Sequence, residues 1–317
     1  MRALYLDGAT VRFRPDYPAP RPRANESLIR VRYAGICRTD LELARGYMGF
    51  RGVPGHEFVG EVVESKQKEL SGKRVVGEIN VGCGRCRWCR GGLERHCPRR
   101  TVLGIFGRDG AFADFLVLPT RNLHPVPESV PDESAVFVEP LAAAFEIFDN
   151  TNLAPTDRAL VLGDGRLGAL VALVLKSRGI EALVAGRHES KLSRLAGIGL
   201  KVEREDKLKP GYDVVIECTG NPNALERALA LVRPRGKVVL KTTTKSPHKL
   251  NLAPLVVNEI ALFGSRCGRF GPALKALAQG AIDPRPLITA TFALSDGRAA
   301  LKAAACPEHL KVLLAMV

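Results

Sequence analysis

Aromatic side chains are scarce in this chain, which has one tryptophan, five tyrosines and twelve phenylalanines among 317 residues. Nucleic-acid readers that stack bases on several aromatics find little material here. Long apolar runs are missing too: the longest, Leu167 to Leu175, covers nine residues, against roughly 20 for a helix that crosses a bilayer. Near the start, Asp7 interrupts MRALYLDGATVRF before an apolar core of signal-peptide length forms, and the acid also argues against a transit peptide. The expectation is a cytoplasmic protein with no membrane partner. Acidic residues are in deficit, 33 against 47 Lys and Arg, for a net charge of +14, which opens the question of a polyanionic partner. No internal repeat, low-complexity tract or block of five like charges is present, which excludes repeat arrays and charged disordered tails.

The remaining composition, 46% hydrophobic and 25% charged, is ordinary globular usage, and the length suits one large or two ordinary domains. Residues 1 to about 137 carry short β-like runs separated by Gly and Pro, such as Leu28 to Tyr33, Phe58 to Val63, Arg74 to Ile79 and Phe112 to Leu118. From Arg158 the texture changes. Strand-like segments at Ala159 to Leu162, Ala182 to Ala185, Asp213 to Glu217, Lys237 to Leu240 and Ala261 to Phe263 alternate with helix-like ones, which predicts a parallel sheet wrapped by helices. Beyond about residue 265 the pattern loosens into a helix from Pro272 to Gln279, a proline-rich turn at Asp283 to Pro286 and an amphipathic stretch.

Eight cysteines are present, and four of them, Cys83, Cys86, Cys89 and Cys97, fall in GCGRCRWCRGGLERHC with the spacing C-x2-C-x2-C-x7-C. Two-residue gaps let successive sulfurs converge from a tight turn, so the segment reads as a closed four-thiolate zinc site of structural type. An iron–sulfur cluster is the rival; its bacterial ferredoxin run has a three-residue last gap before Cys-Pro, where seven residues intervene here. His96 beside Cys97 is a bystander if four sulfurs close the shell. Arg85, Arg87, Arg90, Arg95, Arg99 and Arg100 crowd the same segment, and with the +14 charge they make a zinc ribbon that binds nucleic acid the alternative reading.

ALVLGDGRLGALVALVLKSRG places Gly163, Gly165 and Gly168 in the order G-x-G-x-x-G between a strand-like and a helix-like run. That context predicts a dinucleotide pyrophosphate on the loop Gly163, Gly165, Arg166, Leu167 and Gly168, at a helix N-terminus. NAD-binding forms place an acid about twenty residues beyond the glycines, at the end of the next strand, to accept from the ribose 2′-hydroxyl. This chain has Gly186 there, followed by Arg187 and His188. With the repelling acid gone and a guanidinium next to it, NADP(H) is expected over NAD(H).

AGICRTD, PGHEFVGEV, the four-cysteine segment, DGAFADFLVLP, VEPLA, GDGRLG and ECTG occur in that order. Through them the chain resembles the zinc-dependent medium-chain alcohol and polyol dehydrogenases over nearly its whole length. The resemblance implies an α/β protein with a GroES-like, mostly-β catalytic domain at 1–137 that carries the structural zinc lobe (81–100). It implies a Rossmann doubly wound parallel sheet at 138–265 and a C-terminal segment, 266–317, that completes the Rossmann domain with a helix and returns to the catalytic one. A second, catalytic zinc is implied at Cys37, His56 and Glu139, with Glu57 beside the metal as alternate ligand or neighbour. Best-known alcohol dehydrogenases have a cysteine where Glu139 falls, so the likeness is to the sorbitol, threonine and glucose dehydrogenase branches.

The same resemblance makes Asp40 the carboxylate that orients His56, the alternative being a simple cap of the helix that follows, and Thr39 the hydroxyl that accepts the alcohol proton. Glu42 stands where many members have histidine, and is either a proton or ribose contact or a solvated acid. Arg38 falls where some members touch the pyrophosphate. The partner expected is a small alcohol or ketone and not nucleic acid, in a homodimer or homotetramer by family habit. Zinc-free quinone and enoyl reductases of the same superfamily lack the ligand residues that this chain has.

Overall fold

The computed structural model describes residues 1–8, 10–243 and 251–316. They fall into two compact groups, Met1–Glu139 with Ala273–Val317, and Pro140–Pro272.

The first group is built on a seven-stranded sheet. Its central strand, Glu26–Gly35, buries Ile29 and Val31 while exposing Arg30 and Arg32, the period-two pattern of a sheet with one wetter face. This strand pairs antiparallel with Glu57–Glu64, with Phe115–Pro119 and with Lys311–Ala315. The last of these has every residue buried. A strand covered on both faces has no alternation to read, which is why KVLLA is not separable from its surroundings by pattern. It also pairs in parallel with Ile288–Ala293, and so brings the chain's last residues beside strands made near its start.

The second group holds six parallel strands in the order Lys201–Arg204, Ala182–Gly186, Ala159–Leu162, Tyr212–Glu217, Val232–Leu240, Ala261–Gly264. Numbered by sequence this is 3-2-1-4-5-6, the order of a Rossmann sheet. The first strand, ALVL, is wholly buried, as a central parallel strand between helical layers must be. Helices Arg166–Ser177, Glu189–Gly197 and Ala224–Leu231 supply those layers through apolar faces such as Leu170, Val174, Leu195 and Leu225. Strand Lys201–Arg204 carries no buried residue, and its polar sequence gives no strand signal. The parallel six-stranded sheet is the expected Rossmann sheet.

Candidate active site and metal centres

In the first group, Cys37 is the N-cap residue of the short helix Arg38–Leu43. Its backbone N–H donates to Asp40 Oδ2 at 2.8 Å, which fixes the turn that presents the thiol. The other carboxylate oxygen, Oδ1, accepts the Gly55 N–H at 3.2 Å and lies 3.2 Å from His56 Nδ1. Asp40 thus lies beside the His56 ring, where a carboxylate can support a metal-bound imidazole. Cys37, His56 and Glu57 each bring a ligand atom within 4.8 Å of the others, and His56 and Glu57 are buried. Burial raises the Cys37 thiol, but the hydrogen bond and charge of His56 outweigh it and hold the thiol below its ordinary range. For His56, burial lowers basicity, and the Asp40 charge and hydrogen bonding overcome it to raise the ring well above its usual value. Soft thiolate, imidazole and carboxylate in one buried cluster suit zinc.

Glu139 stands in the first turn of the helix Val138–Asn150, outside the set of donors that converge within 4.8 Å. Thr39, half-buried, holds its Oγ1 3.9 Å from the Cys37 sulfur. Glu42 is clamped at one oxygen by Arg38 Nε (2.8 Å) and Arg45 Nη1 (3.1 Å), so Arg38 and Glu42 meet as an exposed ion pair.

One partner in this cluster gave no sequence signal. Lys311, buried like Glu57, reaches in from the last strand and donates to Glu57 Oε2. Its ammonium also sits 5.4 Å above the Phe137 ring centroid. Burial, only partly offset by the negative charges at Cys37 and Asp40, pushes the Lys311 amine down to about 8. Space for the pair comes from Gly35: a Cβ there would lie 2.5 Å from Glu57 Oε2 and 2.7 Å from Lys311 Nζ.

The four-cysteine segment brings its sulfurs together. All four sulfurs lie within 4.8 Å of one another, with Cys86–Cys89 at 3.5 Å and Cys86–Cys97 at 3.8 Å. Sulfurs bound to one zinc at about 2.3 Å in a tetrahedron stand about 3.8 Å apart. Gly84 and Gly92 take positive φ at the two bends, and Gly82 is required because a Cβ would fall 2.9 Å from the Cys89 sulfur. Backbone N–H groups led by that of Arg85 pull the Cys83 thiol down to about 5, whereas burial pushes Cys89 up to about 11.

In the second group the three glycines do different jobs. Gly163 has φ +127 and lies against the Cys218 backbone, where a Cβ would be 2.9 Å from the carbonyl carbon. Gly165, the N-cap of Arg166–Ser177, has open space, which lets a pyrophosphate approach the amides of Arg166 and Leu167. At Gly168 a Cβ would be 2.0 Å from the Gly163 carbonyl oxygen, so only glycine permits the helix to pack there.

At the end of strand Ala182–Gly186 the sequence shows no acid, yet a carboxylate is present in space. Asp164, from within the glycine loop, accepts the N–H groups of Arg187 and His188, each at 2.8 Å, and lies 3.0 Å from His188 Nδ1. A Cβ at Gly186 would collide with it at 2.2 Å. The signal was the pairing of Asp in GDG with Gly at the strand end. Beside it a cavity of about 430 Å³ is lined by Gly186, Arg187, Arg204, Glu205, Asp206 and Arg227.

The chain is similar to known proteins over nearly its whole length. The alcohol dehydrogenase GroES-like domain family matches residues 23–128, and the zinc-binding dehydrogenase family matches residues 167–279. Sorbitol dehydrogenase of Halalkalibacterium halodurans is 30% identical, over 94% of this chain and 93% of its own. A solved structure described as a short chain alcohol dehydrogenase (rspB) from Escherichia coli CFT073, complexed with NADH, superposes with a TM-score of 0.91. It is 27% identical and is covered over 99%, against 100% of this chain. A zinc-binding dehydrogenase structure from Sinorhizobium meliloti 1021 bound to NADP gives a TM-score of 0.90 at 25% identity, over 99% of this chain and 98% of its own. The chain belongs to the zinc-binding alcohol dehydrogenase family, oxidoreductases that act on CH–OH groups with a nicotinamide cofactor.

Proposed function

We propose that this protein transfers hydride between NADP(H) and a secondary alcohol, polyol or sugar, or the corresponding ketone. The observation that carries the reading is the buried convergence of Cys37, His56 and Glu57 next to the Thr39 hydroxyl. Zinc bound there supplies a Lewis acid for the alcohol oxygen and the nicotinamide supplies the hydride acceptor. The chain's own residues do the rest. Asp40 holds the His56 ring, Lys311 balances the Glu57 charge, and Thr39 receives the proton that the alcohol loses. Glu57, which converges with Cys37 and His56, or Glu139 would supply the third protein ligand, and Cys83, Cys86, Cys89 and Cys97 would hold a second, structural zinc. Retention of thiol, imidazole and carboxylate favours this reading over a zinc-free quinone or enoyl reductase.

Arg187, Arg204 and Arg227 around one cavity favour the 2′-phosphate of NADP(H), while the Asp164 charge is engaged by the N–H groups of residues 187 and 188. The cytoplasm, with its reduced thiols, is the compartment proposed. Self-association through the edge strand Ala261–Gly264 is also proposed, since Leu262, Val256 and Val257 are exposed beside it. A screen of sugars, polyols, amino alcohols and ketones with both cofactors tests the activity. Turnover that survives Cys37→Ser, or a wild-type chain free of zinc and still active, would overturn it.

A further inference from the structure

We infer that Glu205 is the positioning residue of the 2′-phosphate site, fixing Arg187 by one edge and Arg227 through its carbonyl so that both guanidiniums serve one anion. The inference rests on the NADP(H) reading above and concerns a residue outside the glycine motif and the strand-end position.

Strand register explains how the residue arrives there. Gly186 pairs with Arg204 across the first two strands from the sheet edge, so Glu205, the next residue, comes level with Arg187. Arg187 Nε donates to Glu205 Oε2 at 2.5 Å and Nη2 donates to Oε1 at 3.1 Å. The anchor is the sheltered partner: the Glu205 side chain is 16% exposed, against 66% for Arg187. Arg227 Nη2 reaches the Glu205 carbonyl at 3.4 Å. One residue therefore gathers two arginines from separate helical and loop segments onto the wall of the same cavity.

A guanidinium has two edges that can each grip an oxyanion with parallel N–H groups. Glu205 takes the Nε/Nη2 edge, and among the described residues Nη1 of Arg187 has no partner. The Nη1/Nη2 edge is left over on a guanidinium that Glu205 already holds. A carboxylate competing for the phosphate position would take that edge instead. A long, solvent-exposed arginine otherwise loses rotamer freedom on gripping a ligand, and fixing it beforehand spares that loss at binding. NADH, which lacks the phosphate, makes no use of the arrangement.

The test compares Glu205→Gln, Glu205→Asp and Arg187→Gln in the full-length chain, with dissociation constants for NADPH and NADH taken from cofactor fluorescence titrations. Glu205→Gln is expected to weaken NADPH by about tenfold, about 1.4 kcal/mol, with NADH within about twofold, and Glu205→Asp to recover part of the loss. Equal loss of both cofactors marks a merely structural residue and overturns the inference. Tighter NADPH binding by Glu205→Gln would make the carboxylate a competitor, and overturns it as well. If Arg187→Gln weakens NADPH while Glu205→Gln does not, positioning by Glu205 is wrong but the NADP(H) reading stands. If Arg187→Gln leaves NADPH unchanged, both fail.

Discussion

Replacing Lys311 by methionine is the most informative single change to the first group. The substitution keeps most of the side chain's volume and its contact with Phe137 but removes the charge that meets Glu57. Both side chains are 1% exposed, so water cannot take over from the lost partner. Breaking a buried pair from one side costs about 3–5 kcal/mol, because the remaining charge is left without compensation. For a unit of this size each kcal/mol moves the melting temperature by roughly 2–4 °C, so a fall of roughly 6–20 °C is expected. Calorimetry of the single variant, of Glu57→Gln and of the double variant separates charge from packing. The double variant should regain most of the loss, since removing both charges together is often close to neutral. A Lys311→Met protein that melts within 1 °C of wild type, with unchanged zinc content, would refute the reasoning. So would a double variant no more stable than Lys311→Met alone.

Gly165→Ala should fold normally, because nothing lies within 4 Å of the new Cβ, yet bind NADPH at least about tenfold more weakly by obstructing the pyrophosphate; wild-type affinity would sink the assignment. Gly168→Ala, whose Cβ meets the Gly163 carbonyl at 2.0 Å, should lower both stability and affinity in melting and binding assays. Thr39→Val should reduce kcat about 100-fold or more without altering zinc content or cofactor dissociation constants, and unchanged turnover would remove Thr39 from the proton path. Cys83 is depressed from an ordinary thiol to about 5. Such a group contributes fully above its unfolded value near 9, progressively less as pH falls, and nothing below about 5. Zinc release followed with a chromogenic chelator should accordingly increase as pH falls, and retention that does not depend on pH would contradict it.

Local features of the molecule were legible and distant ones were not. The four-cysteine lobe is closed by residues 83 to 97, so its spacing alone states its geometry. The glycine loop is similar, because the turn, the close approach and the helix packing all fall within six residues. Cys37 and His56 lie nineteen positions apart and each is unremarkable alone; family likeness, not physical pattern, joined them. Lys311 was invisible because its partner stands 254 positions away and a lysine in KVLLA reads as a solvated residue. Asp164 is hidden for the opposite reason: the motif places an acid at position 186, at the end of the next strand, whereas the chain supplies a carboxylate from inside the glycine loop. Glu205 and Arg227 depend on the register of a strand with no apolar signature.

The position of Lys311 also orders events in time. Translation at about 5–20 residues per second puts roughly 13–50 s between the synthesis of Glu57 and that of its partner. The cysteine lobe has no such delay, since all of its ligands emerge together. The lobe can therefore close on the nascent chain, while Glu57 waits without its ammonium partner until the strand Lys311–Ala315 slots in beside Glu26–Gly35. Arrested chains that stop before residue 311 should leave Glu57 without its ammonium partner.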